Sequence, residues 1–173
     1  GSDIPKYNKN IKTIKDPFTN TPINLIPAAN PDVAFIPVHK ADRRGNSIIF
    51  GHIGTDDIKA KASKHTVIVC EELVSDEEVE KTPNLTVIPS YCVDAVVELP
   101  FCCHPLDCYG YYYHDLPFIY SFGERMRTYE GTVELLNEWV YGVENHNEYC
   151  KKVGWNRLYR LVKMARKITK IST

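Results

Sequence analysis

Tyr91–Asp115, YCVDAVVELPFCCHPLDCYGYYYHD, is the stretch that decides the fold. Its apolar run from Val93 to Leu99, closed by Pro100, is typical of a buried β-strand. A loop rich in cysteine, histidine and tyrosine follows this strand directly. Because open α/β sheets bind ligands beyond the carboxyl ends of their strands, we expect the functional site at this loop.

Length and composition predict a single soluble domain. The chain has 173 residues, 25% of them charged and 43% hydrophobic, with a formal net charge of −1, and these values are ordinary for a globular protein. No apolar run approaches the ~18 residues of a membrane span, and no secretory leader is recognisable. The six cysteines show no spacing typical of a disulfide framework. We therefore expect a cytoplasmic protein that does not bind membranes.

Strand and helix signals alternate along the chain, which predicts an α/β fold with a partly parallel sheet. Besides Val93–Leu99, strands are expected at Val33–Val38, Ser47–Phe50, Thr66–Cys70 and Leu85–Ile88. Helices are expected to begin near Thr55, at Ser75 and at Thr132, the last with Val133, Leu136 and Val140 on one face. Residues 1–30 are expected to form an extended arm, and residues 31–173 a single α/β domain.

The turn between the first two strands and one proline inside them carry specific expectations. Gly45 and Asn46 readily adopt the positive φ of a hairpin bend. Pro37 cannot donate to a ladder, so we expect an edge or bulged position for it.

The end of the chain is basic, with eight Lys and Arg and no acidic residue from Lys151 to Thr173. Leu158, Leu161, Ala165 and Ile168 lie at helical spacing, which predicts a helix that docks through this stripe and exposes its cations. Contact with the phosphates of a nucleotide-bearing ligand, or with an acidic partner, is the alternative. Nucleic-acid binding is not expected, because the rest of the chain is not basic and contains no reader motif.

Five segments in order carry a family resemblance along nearly the whole chain. They are DPFT at Asp16–Thr19, NPDVAFIPVHKADRRGN at Asn30–Asn46, TVIVCEE at Thr66–Glu72, the stretch from Tyr91, and NEWVYGVENHNEYCKKVG at Asn137–Gly154. Together they resemble the later part of the α subunit of family I coenzyme A transferases, nearest the glutaconate CoA-transferase branch. The resemblance implies a three-layer CoA-transferase-like (NagB/RpiA-like) fold, with helices on both faces of the sheet.

The resemblance also implies a function and its partners. Such enzymes move CoA from an acyl-CoA to a carboxylic acid through a nucleophilic glutamate, which the β subunit supplies in a Glu-Asn-Gly-type turn. This chain contains no Glu-Asn-Gly. We therefore expect it to act with a β subunit and with the N-terminal half of the α subunit, with CoA as substrate and no separate cofactor. A CoA-thioester hydrolase, a decarboxylase and a silent scaffold half are the alternatives.

Candidate site residues lie at the carboxyl ends of two predicted strands. Glu71 and Glu72 follow TVIVC and are weak candidates for acid-base chemistry, with helix-start or salt-bridge roles as the alternative. We predict that His104, Tyr109 and Tyr111 line a substrate pocket; the alternatives are a structural histidine and tyrosines at a subunit interface.

A zinc site is a further alternative at the same loop. Its ligands would come from Cys102, Cys103, His104, Cys108 and His114. We expect no metal, because adjacent cysteines do not easily ligate together and a Cys-x-x-Cys pair is lacking. Small residues stand at the positions of Cys102 and Cys103 in the family that the chain resembles, so these cysteines are a departure from it.

Overall fold

A computed structural model describes residues 2–169, and only the backbone of Ile168 and Thr169. Its strands, numbered in chain order, are β1 Lys12–Lys15, β2 Pro22–Leu25, β3 Val33–Ala41, β4 Ser47–Ile48, β5 His65–Leu73, β6 Thr86–Ile88 and β7 Ala95–Glu98. The helices are α1 Ile4–Tyr7, α2 Asp56–Ala62, α3 Asp76–Glu80, α4 Leu116–Arg125, α5 Tyr129–Trp139, α6 His146–Val153 and α7 Trp155–Thr169. The predicted α/β class is confirmed.

A five-stranded sheet in the order β6-β4-β3-β5-β7 organises the first part of the chain. Strands β3, β5 and β7 are parallel, whereas β4 and β6 pair antiparallel, so the prediction of a partly parallel sheet is confirmed. Apolar side chains from one face of the sheet, including Ile36 and Ile68, form a core with Ala60 of α2. Burial of these side chains is the main source of stability for this layer.

The hairpin between β3 and β4 forms around a buried aspartate. Oδ1 of Asp42 accepts hydrogen bonds from the backbone N–H groups of Arg44, Gly45 and Asn46, at 2.8 to 2.9 Å. Gly45 has a φ of +101°, and a Cβ added there would lie 2.6 Å from Cβ of Val93. The turn therefore needs glycine for both its backbone conformation and its packing.

Two expectations about the strands are corrected by the structure. The sequence predicts a buried strand around Val96, but β7 is an outer strand that pairs only with β5 among the described residues, and Val97 is 43% exposed. Pro37 lies in β3, the central strand, and not in an edge strand. It is tolerated there because β4 pairs with β3 only at Lys40 and Ala41, so beside Pro37 only β5 forms a ladder among residues 2–169.

The N-terminal segment and the fifth helix also differ from expectation. Within the predicted arm, residues 4–7 form a helical turn, and β1 and β2 form an antiparallel hairpin with largely exposed side chains. The division into an arm and one domain stays a prediction. Thr128, rather than Thr132, caps α5 by accepting a hydrogen bond from the backbone N–H of Gly131 at 3.1 Å. The buried residue of α5 is accordingly Leu135, whereas the side chains expected on one face are partly exposed.

The helical second half has its own core, to which the tyrosine-rich loop contributes. Phe118 of α4, Cys150 of α6 and Leu158 and Leu161 of α7 are buried together with Tyr112 of the loop. The predicted docking stripe of the basic helix is confirmed at Leu158, Leu161 and Ala165, whereas the side chain of Ile168 lies outside the described residues. Helices α4 and α6 were not predicted. Within residues 2–169, no helix combines the length and the apolar character that crossing a bilayer requires.

Candidate functional site

A buried carboxylate holds the loop after β7 against the end of β5. Oε2 of Glu71 accepts a hydrogen bond from the backbone N–H of Phe101 at 2.6 Å, and Oε1 accepts one from Cys102 N–H at 3.0 Å. The hydroxyl of Tyr112 donates to Oε1 at 2.5 Å. Phe101 has a φ of +65°, a conformation that non-glycine residues adopt rarely. Glu71 therefore stabilises a strained turn, and both of its oxygen atoms are occupied.

Glu72 points to the other side of the strand and has a different environment. Its Oε2 accepts a hydrogen bond from the Tyr111 hydroxyl at 2.9 Å and lies 3.6 Å from Nζ of Lys40. Burial, and then the hydrogen bond to Glu72, raise the pKa of Tyr111 above its ordinary value. Glu72 and Tyr111 line a cavity of about 370 Å³, together with Glu71, Phe101 and Arg166 among others. This cavity lies at the carboxyl ends of the parallel strands, where the sequence predicted the site.

His104 is in the helical core and not in a cavity wall. Its side chain is 0% exposed, with Nδ1 2.6 Å from the Tyr149 hydroxyl and Nε2 3.3 Å from Oδ2 of Asp115. Since an ionised Asp115 can only accept, Nε2 carries the proton and Nδ1 accepts from Tyr149. Burial lowers the pKa of His104, although Asp115 acts in the opposite direction. Both nitrogens are thus occupied, as in the structural alternative.

Asp115 connects His104 to the basic helix. Arg157 donates two hydrogen bonds to it, from Nε at 2.5 Å and from Nη2 at 2.7 Å. Asp115 also caps α4 by accepting from Phe118 N–H at 3.3 Å. Burial acts to raise the pKa of Asp115, but the hydrogen bonds from Arg157 and His104 outweigh it and leave this pKa below its usual range. Arg157, expected among the solvated cations, therefore has a structural partner.

Tyr109 lies at a second cavity of about 240 Å³, on the other side of the loop. Its backbone carbonyl accepts a hydrogen bond from Nε2 of His39 at 3.0 Å, while Nδ1 of His39 accepts from Phe50 N–H at 3.1 Å. Burial lowers the pKa of His39. The three residues predicted to share one substrate pocket are therefore apart: Tyr111 at the first cavity, Tyr109 at the second, and His104 between helices. Their roles in substrate binding stay predictions.

Two adjacent thiols lie beside Glu71. Sγ of Cys102 is 3.2 Å from Oε1 of Glu71 and 4.0 Å from Sγ of Cys103. The neighbouring thiol of Cys103 and burial raise the pKa of Cys102, whereas hydrogen bonding from Cys102 and Cys108 lowers the pKa of Cys103. All six cysteines are free thiols. Of the histidines considered for zinc, His104 is occupied as described.

Sequence reasoning missed Asp115, Tyr149 and the pairing role of Arg157. Asp115 stands two residues before Pro117 at the start of an apolar segment, which is a signal for a helix N-cap. That signal predicts a capping aspartate but not its ion pair with Arg157, because this partner lies 42 positions along the chain.

Comparison with known proteins identifies the family. A family model described as coenzyme A transferase matches residues 3–99. The chain is 38% identical over 151 residues to the A subunit of glutaconate CoA-transferase from Acidaminococcus fermentans, and 34% identical over 153 residues to the A subunit of 3-oxoadipate CoA-transferase from Pseudomonas knackmussii. These alignments cover 87% and 88% of the chain, but 47% and 54% of the relatives. The chain thus spans about half the length of these curated relatives.

Solved structures agree with this result. The crystal structure of glutaconate coenzyme A-transferase from Acidaminococcus fermentans superposes with a TM-score of 0.81 at 37% identity, covering 88% of this chain and 48% of that one. The decarboxylase AibA/AibB superposes with a TM-score of 0.53 at 33% identity, covering 73% of this chain and 47% of that one. The chain therefore belongs to the coenzyme A transferase family, and its relatives in that family include the A subunits of two CoA-transferases.

Proposed function

We propose that this chain is part of the α subunit of a cytoplasmic CoA-transferase, which moves CoA from an acyl-CoA to a carboxylic acid. The observation that carries the proposal is the 38% identity to the A subunit of a glutaconate CoA-transferase over 87% of the chain. The cavity beside Glu72 and Tyr111, at the carboxyl ends of β5 and β7, supports it as a wall for the acyl group. CoA is a substrate here, and the proposal needs no separate cofactor.

The nucleophile belongs to a β subunit in this proposal. A glutamate carboxylate attacks the thioester carbonyl and releases CoA as a thiolate, which leaves an acyl-glutamyl anhydride. The CoA thiolate then attacks the glutamyl carbonyl, forming a glutamyl-CoA thioester and releasing the first acid; the second acid takes the CoA by the reverse steps. Glu71 is a poor candidate for this attack, because it is buried and both of its oxygens accept hydrogen bonds.

An uncovered sheet face supports the expected partners. The side chains of β3, β5 and β7 that point away from the core form an apolar surface, here called the Phe35 face: Val33, Phe35, Pro37, Val67, Val69, Ala95 and Val97. Phe35 is 71% exposed on it. Parallel sheets are normally covered on both faces, and large exposed apolar patches mark interaction sites. We propose that the remaining half of the α subunit covers this face, and that the β subunit meets the loop beyond it.

Covalent trapping tests the proposed chemistry. The native assembly, purified with its companion chains, is incubated with an acyl-CoA, and each chain is then weighed by mass spectrometry. We expect CoA as a thioester on a glutamate of a companion chain. In addition, Glu72→Gln should leave trapping intact, as should the matched exposed control Glu80→Gln. Trapped CoA on this chain, or thioester turnover by this polypeptide alone, would contradict the proposal.

Partner binding is tested on the Phe35 face. Phe35→Asp should abolish co-purification of companion chains, whereas Tyr129→Asp should not, since Tyr129 is a similarly exposed aromatic residue on α5. Equal effects of both substitutions would refute an interface at this face.

Decarboxylation of a CoA thioester is the second candidate function, favoured by the 33% identity to the decarboxylase AibA/AibB. The same trapping experiment separates it from transfer. A decarboxylase releases carbon dioxide and retains the thioester, so no glutamyl-CoA is expected; a hydrolase would release free acid without a second acid. A scaffold half would leave activity unchanged when the Glu72 cavity is filled by Gly110→Trp.

A further inference from the structure

The loop after β7 brings three potential metal ligands together, and the proposed function uses none of them as such. Sγ of Cys102, Sγ of Cys103 and a carboxylate oxygen of Glu71 all lie within 4.8 Å of one another. Glu71 is buried, and the two cysteines are half-buried. The thiol of Cys108 is a fourth member, since it is hydrogen-bonded to Cys103.

We propose that Cys102, Cys103 and Glu71 form a binding site for one thiophilic divalent cation of the zinc class. This proposal does not rest on the proposed function. Two thiolates at ~2.3 Å from one tetrahedral ion lie roughly 3.8 Å apart, and the two Sγ atoms are 4.0 Å apart. A thiolate and a carboxylate oxygen on the same ion lie roughly 3.6 Å apart, against 3.2 Å for Cys102 and Glu71. Small side-chain rotations therefore suffice.

The hydrogen bond from Cys102 to Glu71 marks where the ion would sit. The Cys102 thiol proton lies between sulfur and oxygen, and a metal ion would take its place while the two thiol protons leave to solvent. Glu71 need not move, because its Oε2 still accepts from Phe101 N–H. This bond holds the carboxylate in orientation, as outer partners of metal ligands commonly do. Cys108 or a water molecule would complete the tetrahedron.

The donor set selects the class of ion. Two thiolates with one carboxylate favour Zn²⁺, or Cd²⁺ as its analogue, over Mg²⁺ and Ca²⁺, which prefer oxygen ligands alone. Access exists from two sides, because Glu71 lines the first cavity and Cys103 lines the second. The expectation of no metal assumes that adjacent cysteines diverge. In the structure the strained backbone at Phe101 precedes both thiols, and they converge on a carboxylate 31 positions earlier in the chain.

A spectroscopic titration tests the site. The reduced 173-residue chain is titrated with Co²⁺, which reports thiolate ligation by charge-transfer absorption, and Zn²⁺ is then added in competition. We expect one Co²⁺ per chain, thiolate-type absorption, and full displacement by Zn²⁺. Cys102→Ser and Cys103→Ser should each weaken binding at least ~10-fold, since even loss of an outer partner costs that much.

Cys92→Ser is the matched control, because Cys92 is a half-buried free thiol outside this cluster. It should bind Co²⁺ like the unaltered chain. Serine retains a hydroxyl that can donate to Glu71, so Cys102→Ser is expected to fold. Absence of thiolate-type absorption, or equal affinity in the Cys102, Cys103 and Cys92 variants, would overturn the proposal.

Alkylation of the unaltered chain gives a readout that needs no variant. Stoichiometric Zn²⁺ should slow the reaction of N-ethylmaleimide with Cys102 and Cys103 at least ~10-fold, as measured on peptides by mass. The rate at Cys92 should not change. Equal rates at Cys102 and Cys103 with and without Zn²⁺ would contradict the site, whatever the variants do.

Discussion

Asp115→Asn is expected to destabilise the chain strongly through loss of one charge. The substitution keeps the size of the side chain and a hydrogen-bond acceptor for the N-cap of α4, since Asn and Asp cap helices about equally well. It removes the negative charge that accepts two hydrogen bonds from Arg157 and one from His104. The cap is therefore preserved while the ion pair is broken.

The magnitude follows from the burial of the two partners. Breaking a buried ion pair by removing one charge costs about 3–5 kcal/mol. Asp115 is 2% exposed, whereas the Arg157 side chain is 35% exposed and regains some hydration, which places the expected cost at the lower end, about 3 kcal/mol. Asp115→Ala loses the cap as well, for about 1 kcal/mol more. Arg157→Met should cost a similar amount, because it leaves Asp115 as an unpaired buried charge.

Urea unfolding at pH 7 measures these changes. At an m-value of about 2 kcal/mol/M, Asp115→Asn should lower the midpoint by roughly 1.5 M. Asn145→Ala is the matched control, since Asn145 caps α6 by accepting from Glu148 N–H at 3.1 Å without any ion pair; it should cost only about 1 kcal/mol. If Asp115→Asn costs no more than this control, the ion pair does not stabilise the fold as argued.

Three further predictions concern the same loop and its support. Lowering the pH from 7 to 5 should reduce stability, because burial holds the folded-state pKa of His104 below its ordinary ~6.5 and the unfolded chain takes up the proton first; in urea unfolding at both pH values, His104→Gln should flatten this dependence, and an unchanged slope would count against it. Tyr112→Phe removes a donor to Glu71 and should cost about 1–2 kcal/mol in urea; no loss would mean that the bond contributes nothing net. Gly45→Ala should cost about 2–4 kcal/mol, because φ is +101° and the new Cβ would meet Val93 at 2.6 Å; a thermal midpoint equal to that of the unaltered chain would refute this.

The sheet could be predicted because its signals are local. Short apolar runs mark β3 and β5, and the turn residues Gly45 and Asn46 mark the hairpin between β3 and β4. Burial could not be predicted in the same way. The run around Val96 has the composition of a buried strand, but its position at the outer side of the sheet depends on which strands pair with it. An apolar strand that remains half-exposed is consistent with the covering partner proposed for the Phe35 face.

The helices that were missed had capping signals that the aromatic content obscured. Asn145 and Glu148 have the spacing of a capping box before α6, and Gly154 follows its last residue. In α5, two threonines one turn apart both resemble caps. Only the structure distinguishes them, since the Thr132 hydroxyl instead donates back to the carbonyl of Thr128 at 2.9 Å. A hydroxyl inside a helix can satisfy itself in this way, so the sequence pattern alone does not decide between such positions.

The candidate site could be predicted in place but not in role, because its contacts join distant parts of the chain. Glu71 and the loop lie about 30 positions apart, and no local pattern indicates that a strand-end carboxylate will accept two backbone donors there. Once it does, its chemistry changes: a carboxylate with both oxygens satisfied positions a loop and is no longer free to attack a thioester. A reactive carboxylate would need at least one open oxygen.

The loop is held from both sides by buried carboxylates, and this decides how it can serve a shared site. Glu71 binds its beginning to the sheet core, and Asp115 binds its end to Arg157 of the helical core. Because each anchor is a charge-assisted contact with little exposure, the loop's shape is fixed within this chain and does not depend on a partner for its order. A companion subunit would therefore meet a preformed wall at the Glu72 cavity. Such preorganisation lowers the entropy that closing a shared pocket costs, and it places the specificity for the acyl group partly in residues that never take part in bond making.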